Sequence, residues 1–183
     1  VEIRRAQYRL RSLIYFVGLG IGFMLIEISL IQRLTIFLGH PTYSFVVVLA
    51  TLLFSSGIGS IVSGVWAPGS SPRKLLNVLT IILSIILIYI LFLYDSFTTF
   101  MWLSKPIRIL IAVVFIIPPG FFMGMCFPMG IQIVRRFHKH LVPWAWAVNG
   151  AFSVFASIFS LVIALNFGFK AMMGIGLAFY GVA

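Results

Sequence analysis

Acidic residues are nearly absent from this chain of 183 residues, which has 3 Asp/Glu against 13 Lys/Arg. Charged residues of both signs make up 9% of the sequence, whereas an ordinary soluble domain has about 25%. Hydrophobic residues make up 62%, so a soluble fold of this size would lack the polar side chains to cover its surface. The single cysteine, Cys126, excludes a disulfide-built domain. These deficits exclude a cytosolic enzyme and a disordered tail, and they indicate a membrane protein.

Long apolar runs follow one another along the whole sequence. A helix needs about 20 apolar residues to cross the hydrocarbon core of a bilayer. By this criterion residues 1–183 form a single transmembrane domain, an all-α polytopic helix bundle of about six spans. The predicted spans are Ser12–Leu38, Tyr43–Trp66, Leu75–Tyr94, Ile107–Val134, Trp144–Phe167 and a last run that begins near Ala171 and is cut off at Ala183. Because the first residue is not Met and the last run is short, we expect a segment of a longer protein.

The positive charges lie in short clusters between the apolar runs, as is typical of residues that flank membrane spans and not of a nucleic-acid-binding face. With a cytoplasmic N-terminus, the inner clusters are Arg4, Arg5, Arg9, Arg11, Arg73, Lys74, Arg135, Arg136 and Lys139, and the outer ones are Arg33, Lys105, Arg108 and Lys170. The positive-inside rule therefore predicts this orientation in a bacterial inner membrane. The expected partners are anionic lipid head groups on the cytoplasmic side and other membrane protein subunits, with no nucleic acid.

Small residues at helical spacing predict where helices pack, because close backbone approach, and not the hydrophobic effect, holds helices together in lipid. Four such patterns occur: Gly18 with Gly22, Gly120 with Gly124, the stripe Ser56, Ser60 and Gly64, and the stripe Gly150, Ser153 and Ser157. We expect each of them to mark a helix contact.

Glu27 is the only acidic residue inside a predicted span, and it lies near the middle of that span. An ionisable group at membrane depth is either a proton or cation site or the anchor of a buried hydrogen bond. We expect a partner from another helix, and Asn149 in the fifth run is the best candidate, although its position along that run places it nearer the cytoplasmic end. The predicted intramembrane polar network also includes Gln32, Arg33, His40 and Gln132. Two of these have simpler interpretations, since Arg33 can extend to the head groups and His40 can cap a turn.

The fourth run contains Pro118, Pro119 and Gly120 near its middle, and Pro128 further on. Proline removes a backbone donor and clashes with the preceding turn, so we expect this helix to be broken or kinked. A broken helix is typical of transporter sites, whereas a kink that only serves packing is the simpler interpretation.

Groups that carry catalysis are missing from the sequence. It has no paired carboxylates, no nucleophile with a base, no phosphate-binding loop and no His, Cys or Asp cluster at metal-ligand spacing. We therefore expect no enzymatic activity, no metal site and no cofactor.

Four short elements follow one another along the spans: G-F-M-x-x-E at Gly22–Glu27, L-G-H-P at Leu38–Pro41, F-P-x-G at Phe127–Gly130 and W-x-x-N-G at Trp146–Gly150. With the surrounding spans, they resemble the C-terminal multi-span membrane domain of bacterial spermidine-synthase-like proteins. In that family a membrane portion is fused to a soluble aminopropyltransferase-type Rossmann domain, and some members have a portion similar to the major facilitator transporters. The resemblance thus implies a membrane domain. The members with a transporter-like portion further imply that this domain is half of a major-facilitator-like fold. This sequence has no counterpart of the Rossmann domain.

Two functions remain open from the sequence. The first is a non-catalytic scaffold or interaction subunit that packs through its small-residue faces in a larger membrane assembly. The alternative is a small-molecule transporter-like domain with a polar site around Glu27 and the broken fourth helix. A polyamine cargo is disfavoured, because a polycation needs several carboxylates and the net charge of +10 repels cations.

Overall fold

Helices form nearly all of the chain in a computed structural model, which describes residues 2–67, 69–93 and 97–183. The elements are α1 (Glu2–Leu38), α2 (Pro41–Trp66), α3 (Pro72–Ile88) with a π-helical continuation (Tyr89–Leu93), a 3-10 turn (Phe97–Phe100), α4 (Lys105–Phe137), a second 3-10 turn (Lys139–Leu141) and α5 (Val142–Val182). No strand occurs in these ranges, which confirms the predicted all-α class. The predicted end of the third span, Tyr94, lies outside the described residues.

Within the ranges that the structure describes, five helices are long and apolar enough to cross a membrane, as expected of an integral membrane protein. They are Gln7–Leu38, Pro41–Trp66, Pro72–Phe92, Lys105–Phe137 and Lys139–Val182. The fifth and sixth predicted spans are thus joined in one element, α5. They are separated at Gly168, whose φ of 80° and ψ of 167° are not helical.

The chain reverses direction at Gly168, since both arms of α5 lie against the same stretch of α1. A Cβ on Gly20 would lie 2.6 Å from the Asn149 carbonyl oxygen of the first arm, and one on Gly18 would lie 2.7 Å from that of Phe179 in the second. A positive φ favours glycine, so Gly168 allows the tight reversal. The second arm, residues 169–182, is about 21 Å long at 1.5 Å per residue, which is shorter than a hydrocarbon core of about 30 Å. The count of six spans therefore stays a prediction.

Two helix pairs make the main contacts of the bundle, α1 with α5 and α2 with α4, and α3 packs on α4. Glycine allows the closest approaches. Gly22 lies against the Tyr180 ring, and a Cβ on it would be 2.7 Å from that ring. Gly59 and Gly124 sit so close to the carbonyl oxygens of Phe121 and Ser56 that no side chain fits at either position. The backbones of α2 and α4 are therefore in direct contact.

The packing face of α2 differs from the predicted stripe. Its buried small residues are Ser55, Gly59 and Ser63, while Ser56 and Ser60 lie half-buried at the edge of this face. The prediction for Gly64 and Gly150 is corrected. Both are exposed, and a Cβ on either would meet no atom within 4 Å. A spacing of four residues identifies a stripe of small residues, but several rotations of the helix fit the same pattern.

Ser153 and Gly120 both take part in helix contacts. A Cβ on Gly20 would lie 2.9 Å from the Ser153 hydroxyl oxygen, which places this serine at the contact of α1 with α5. Gly120 lies directly against the Ser55 hydroxyl, at the contact of α4 with α2.

The predicted break in the fourth span is also corrected, because α4 continues through Pro118, Pro119, Gly120 and Pro128 as one helix of 33 residues. A proline at position 119 leaves the carbonyl of residue 115 without its intrahelical donor. The Tyr89 hydroxyl donates to that carbonyl oxygen, that of Phe115, at 2.5 Å. A neighbouring helix thus supplies the missing hydrogen bond, and the helix continues.

The basic residues separate to the two ends of the bundle. The Tyr8 ring contacts those of Phe137 and His138, with centroids 5.5 and 5.4 Å apart, so α1 begins where α4 ends. Arg108 Nη1 donates to the Phe37 carbonyl oxygen at 2.9 Å, so α4 begins where α1 ends. The N-terminal end of the bundle therefore holds Arg9, Arg11, Arg73, Lys74, Arg135, Arg136 and Lys139, and the opposite end holds Arg33, Lys105, Arg108 and Lys170.

Candidate functional site

A central cleft of about 830 Å³ lies between α1, α2, α4 and α5. Its polar lining consists of Ser56, Ser60, Gln132, Asn149 and Ser153, and aromatic and aliphatic side chains such as Phe23, Met24, Phe127 and Tyr180 form the rest. None of the described residues that line it carries a charge. Two residues of its rim, Leu53 and Trp146, are 65% and 61% exposed, so the cleft opens on the outer surface of the bundle. It therefore suits a neutral group with apolar surface and a few hydrogen-bonding atoms.

Asn149 is fixed at the wall of the cleft by hydrogen bonds. Its Nδ2 donates to the Phe16 carbonyl oxygen at 3.0 Å, and its own carbonyl oxygen accepts from the Ser153 hydroxyl at 2.8 Å. The side-chain amide reaches α1 because Gly20 has no side chain at the contact. Asn149 therefore ties the first arm of α5 to α1.

Glu27 lies elsewhere, and the predicted pair with Asn149 is corrected. Glu27 is 8% exposed, and it follows Phe23 and Met24 by about one turn on the side of α1 that faces the cleft. Gly20, which touches Asn149, is about 10 Å away along the helix at 1.5 Å per residue. Among the hydrogen bonds of the described residues none involves the Glu27 carboxylate. This side chain is thus buried just beyond the cleft and apart from the amide.

Gln132 connects α4 to the loop between α2 and α3. Its Oε1 accepts from the Ser70 backbone nitrogen at 3.1 Å and from the Ser70 hydroxyl at 3.2 Å. The same hydroxyl lies 3.1 Å from the Ala67 carbonyl oxygen, so its one proton is shared between the two acceptors. Gln132 therefore holds the loop against the end of α4 and does not reach Glu27.

The remaining members of the predicted network lie near the opposite end of the bundle. Gln32 is exposed and Arg33 is half-buried. His40 is the N-cap of α2, where its Nδ1 accepts from the Thr42 backbone nitrogen at 3.2 Å. The six predicted polar residues therefore do not form one network, and they are distributed along the length of the bundle. No group of three or more His, Cys, Asp or Glu side chains that could hold a metal is found within the described residues.

Sequence reasoning missed the tyrosine bonds that join helices. Besides Tyr89, the Tyr15 hydroxyl donates to the Cys126 carbonyl oxygen at 2.8 Å, and the Tyr15 ring lies directly against Gly130. Pro119 could have indicated an unsatisfied carbonyl on α4, but no pattern in the sequence identifies the helix that supplies its donor.

Comparisons with protein-family models, with curated proteins and with solved structures found no match to this chain. The resemblance to the membrane domain of spermidine-synthase-like proteins therefore stays a prediction, as does the half-transporter fold. Function has to be argued from the cleft and the surfaces beside it.

Proposed function

We propose that this chain is a non-catalytic interaction subunit of a larger membrane assembly, and that its partner docks over the mouth of the central cleft. The observation that carries this proposal is the exposure of three helical glycines beside that mouth. Gly57 lines the cleft, and Gly64 lies two turns further along the same side of α2. Gly150 follows the cleft residue Asn149 on α5. A Cβ on any of these glycines would meet no atom within 4 Å.

Gly59 on the same helix makes a contact within this chain, whereas the exposed glycines make none. Gly59 allows α2 to touch the backbone of α4, and this contact offsets the roughly 0.5–1 kcal/mol by which glycine weakens a helix relative to alanine. Gly57 and Gly64 weaken α2 in the same way without a contact in this chain. In lipid, close backbone approach drives helix association, so a helix from a partner would supply the contact.

The cleft supports the same proposal through its hydroxyl and amide groups. Ser56, Ser60 and Asn149 place polar atoms beside the exposed glycines. Polar side chains at membrane depth form hydrogen bonds between helices, worth about 0.6 kcal/mol each on average. A partner helix that carries small polar residues would satisfy them.

The orientation that we propose is an N-terminus in the cytoplasm of a bacterial inner membrane. It is supported by the excess of Lys and Arg at the N-terminal end of the bundle, because short cytoplasmic loops are enriched in these residues. Trp66, Trp144 and Trp146 belong to the parts of α2 and α5 near that end, as expected of an interfacial belt.

The size of the assembly tests the interaction function. The chain is extracted from its native membrane in mild detergent, and the mass of the protein particle is measured by light scattering after size exclusion. We expect a mass above that of one chain, and a drop to one chain in Gly57→Leu with Gly64→Leu. The matched control is Ile58→Phe with Val65→Phe, two exposed positions on another side of α2, and it should keep the larger mass. A native particle of one chain, or a glycine variant that keeps its partner, contradicts the proposal.

Transport is the second candidate, and the volume of the cleft favours it. A space of about 830 Å³ with polar groups, one helical turn from Glu27, could hold a small molecule. Uptake of labelled polyamines and anions into proteoliposomes tests this candidate, with Glu27→Gln as the variant. Uptake that Glu27→Gln abolishes supports transport, and no uptake by the native chain excludes these cargoes.

A further inference from the structure

A second cavity, separate from the central cleft in all but Gln132, lies at the N-terminal end of the bundle. It has a volume of about 540 Å³ and is lined by Gly64, Gly69, Gln132, Arg135, Arg136 and Lys139. The α2–α3 loop forms one wall and the end of α4 forms the other. We call it the basic cavity, because its three charged side chains are all cationic.

No acidic side chain among those that the structure describes lies close enough to neutralise the positive charge of the basic cavity. Glu27 is the one acidic side chain that they include. It lies roughly 28 Å along α1 from Tyr8, at 1.5 Å per residue, and Tyr8 contacts the end of α4. This distance exceeds the Debye length of about 8 Å at physiological salt. The Glu27 carboxylate is therefore too far away to neutralise the cations of the cavity. Arg135, Arg136 and Lys139 are exposed and available to an anion.

The wall formed by the loop has a defined structure. Gly69 has a φ of +64° and lies against Arg136, where a Cβ would be 2.6 Å from a guanidinium nitrogen. The backbone conformation favours glycine here, and the absence of a side chain leaves the space that the arginine occupies. Gln132 also lines the cavity and is held against the loop by Ser70, whose backbone nitrogen and hydroxyl donate to its Oε1. The walls thus offer two guanidinium groups, an ammonium group and an amide.

The position of the basic cavity indicates where its anion comes from. Trp66 ends α2 beside the cavity, and Lys74 Nζ lies 5.3 Å from the centre of its ring and donates to its carbonyl oxygen at 3.2 Å. Trp66 is exposed, and exposed tryptophan beside lysine is typical of the head-group level of a bilayer. An anion at this level is most readily the phosphate of a lipid.

We propose that the basic cavity is a binding site for a phosphate group, which Arg135, Arg136 and Lys139 hold by charge-assisted hydrogen bonds. Guanidinium groups match phosphate geometry in pairs, which favours phosphate over a simple halide. The source is the head group of an anionic phospholipid at the surface of the membrane. Gly64 belongs both to this cavity and to the proposed docking surface, but the phosphate contacts are made by the three basic side chains and do not depend on the docking of a partner.

Binding of short-chain phosphatidylglycerol to the full chain in neutral detergent tests the site, with phosphatidylcholine and inorganic phosphate as separate ligands. We expect phosphatidylglycerol to bind, and Arg135→Gln with Lys139→Gln to weaken it by roughly tenfold or more, since each basic residue near an anionic surface contributes about fivefold. This pair leaves Arg136 in its contact with Gly69. Arg9→Gln with Arg11→Gln removes the same charge from exposed positions at the same end of the bundle but outside the cavity, and should change binding by about twofold or less.

The ligands distinguish the two sources of phosphate. If millimolar inorganic phosphate does not displace bound phosphatidylglycerol, the site binds lipid. If inorganic phosphate displaces it, the site binds soluble phosphate. Both results support a phosphate-binding site. Equal weakening by the two variant pairs overturns the proposal, because it shows diffuse attraction to a basic surface. Failure of the native chain to bind any of the ligands overturns it as well. Thermal unfolding of each variant, measured without ligand, verifies that a loss of binding is not a loss of fold.

Discussion

The hydrogen bond from Tyr89 to α4 should be worth most where proline has removed the ordinary donor. The Tyr89 hydroxyl lies 2.5 Å from the Phe115 carbonyl oxygen, which Pro119 leaves without an intrahelical partner. Tyr89→Phe keeps the ring, whose centroid lies 6.2 Å from that of Phe115, and removes only the hydroxyl. The substitution therefore isolates one hydrogen bond.

The expected loss follows from the surroundings of the carbonyl. An acceptor that is left unsatisfied in a buried position costs about 1–3 kcal/mol, and hydrogen bonds between membrane helices reach about 1.7 kcal/mol at most in measured cycles. We expect Tyr89→Phe to lower the free energy of unfolding by about 1–1.7 kcal/mol, within the upper part of that range. In a Pro119→Ala background the alanine N–H can bond to Phe115, so the same substitution should cost about 0.5 kcal/mol or less.

Unfolding in mixed micelles with increasing dodecyl sulfate measures all four members of this double-mutant cycle. Pro118→Ala is the matched control, because Pro118 leaves the carbonyl of residue 114 without a donor and not that of Phe115. In that background the cost of Tyr89→Phe should be unchanged. An equal cost of Tyr89→Phe with proline and with alanine at position 119 would refute the idea that the hydroxyl compensates for the proline.

Three further predictions concern helix contacts and the buried acid, and each is measured by the same unfolding assay. Gly59→Ala should lower the free energy of unfolding by about 1–3 kcal/mol, because its methyl group collides with the backbone of α4; Gly57→Ala meets no atom in the chain and should be neutral or stabilising by up to about 1 kcal/mol. Arg108→Gln should cost about 1.5–3 kcal/mol through loss of a charge-assisted bond to the end of α1, whereas Lys105→Gln, at an exposed position of the same end, should change stability by less than about 0.5 kcal/mol. Glu27→Gln should not destabilise the bundle at pH 8, since an ionised carboxylate at membrane depth is costly; a loss above about 1 kcal/mol would reveal a partner that depends on its charge.

The sequence was sufficient to predict the fold class and most helix positions, because apolar runs of about 20 residues have few other interpretations. The predicted second span, Tyr43–Trp66, lies within α2, which covers Pro41–Trp66. The segregation of basic residues to the two ends of the bundle follows from counting Lys and Arg between the apolar runs. The reversal at Gly168 lies between the fifth and sixth predicted runs, as the sequence pattern required.

Contacts between helices were not predictable to the same degree. Helical spacing indicates that Ser56, Ser60 and Gly64 share a side of α2, but it does not say how the helix is rotated, and the packed side is the one with Ser55 and Gly59. Depth was more predictable. Glu27 and Asn149 both lie inside apolar runs, and counting residues along those runs places Asn149 nearer the cytoplasmic end; the packing of α5 on α1 shows the same separation. The predicted break at the prolines was wrong, because another helix supplies the donor that compensates for Pro119.

The pairing of α1 with α5 also determines how the protein is made. Asn149 bonds to Phe16 across 133 residues, and Ser29 bonds to Phe169 across 140. At a translation rate of about 5–20 residues per second, the ribosome needs about 6–26 s after it has completed α1 at Leu38 to supply these partners. During that interval the newly inserted first helix exposes Glu27, and the glycines Gly18, Gly20 and Gly22 that later contact α5, to the translocon and to lipid. Shielding of α1 during that interval would keep Glu27 out of the hydrocarbon until Asn149 and Phe169 are made.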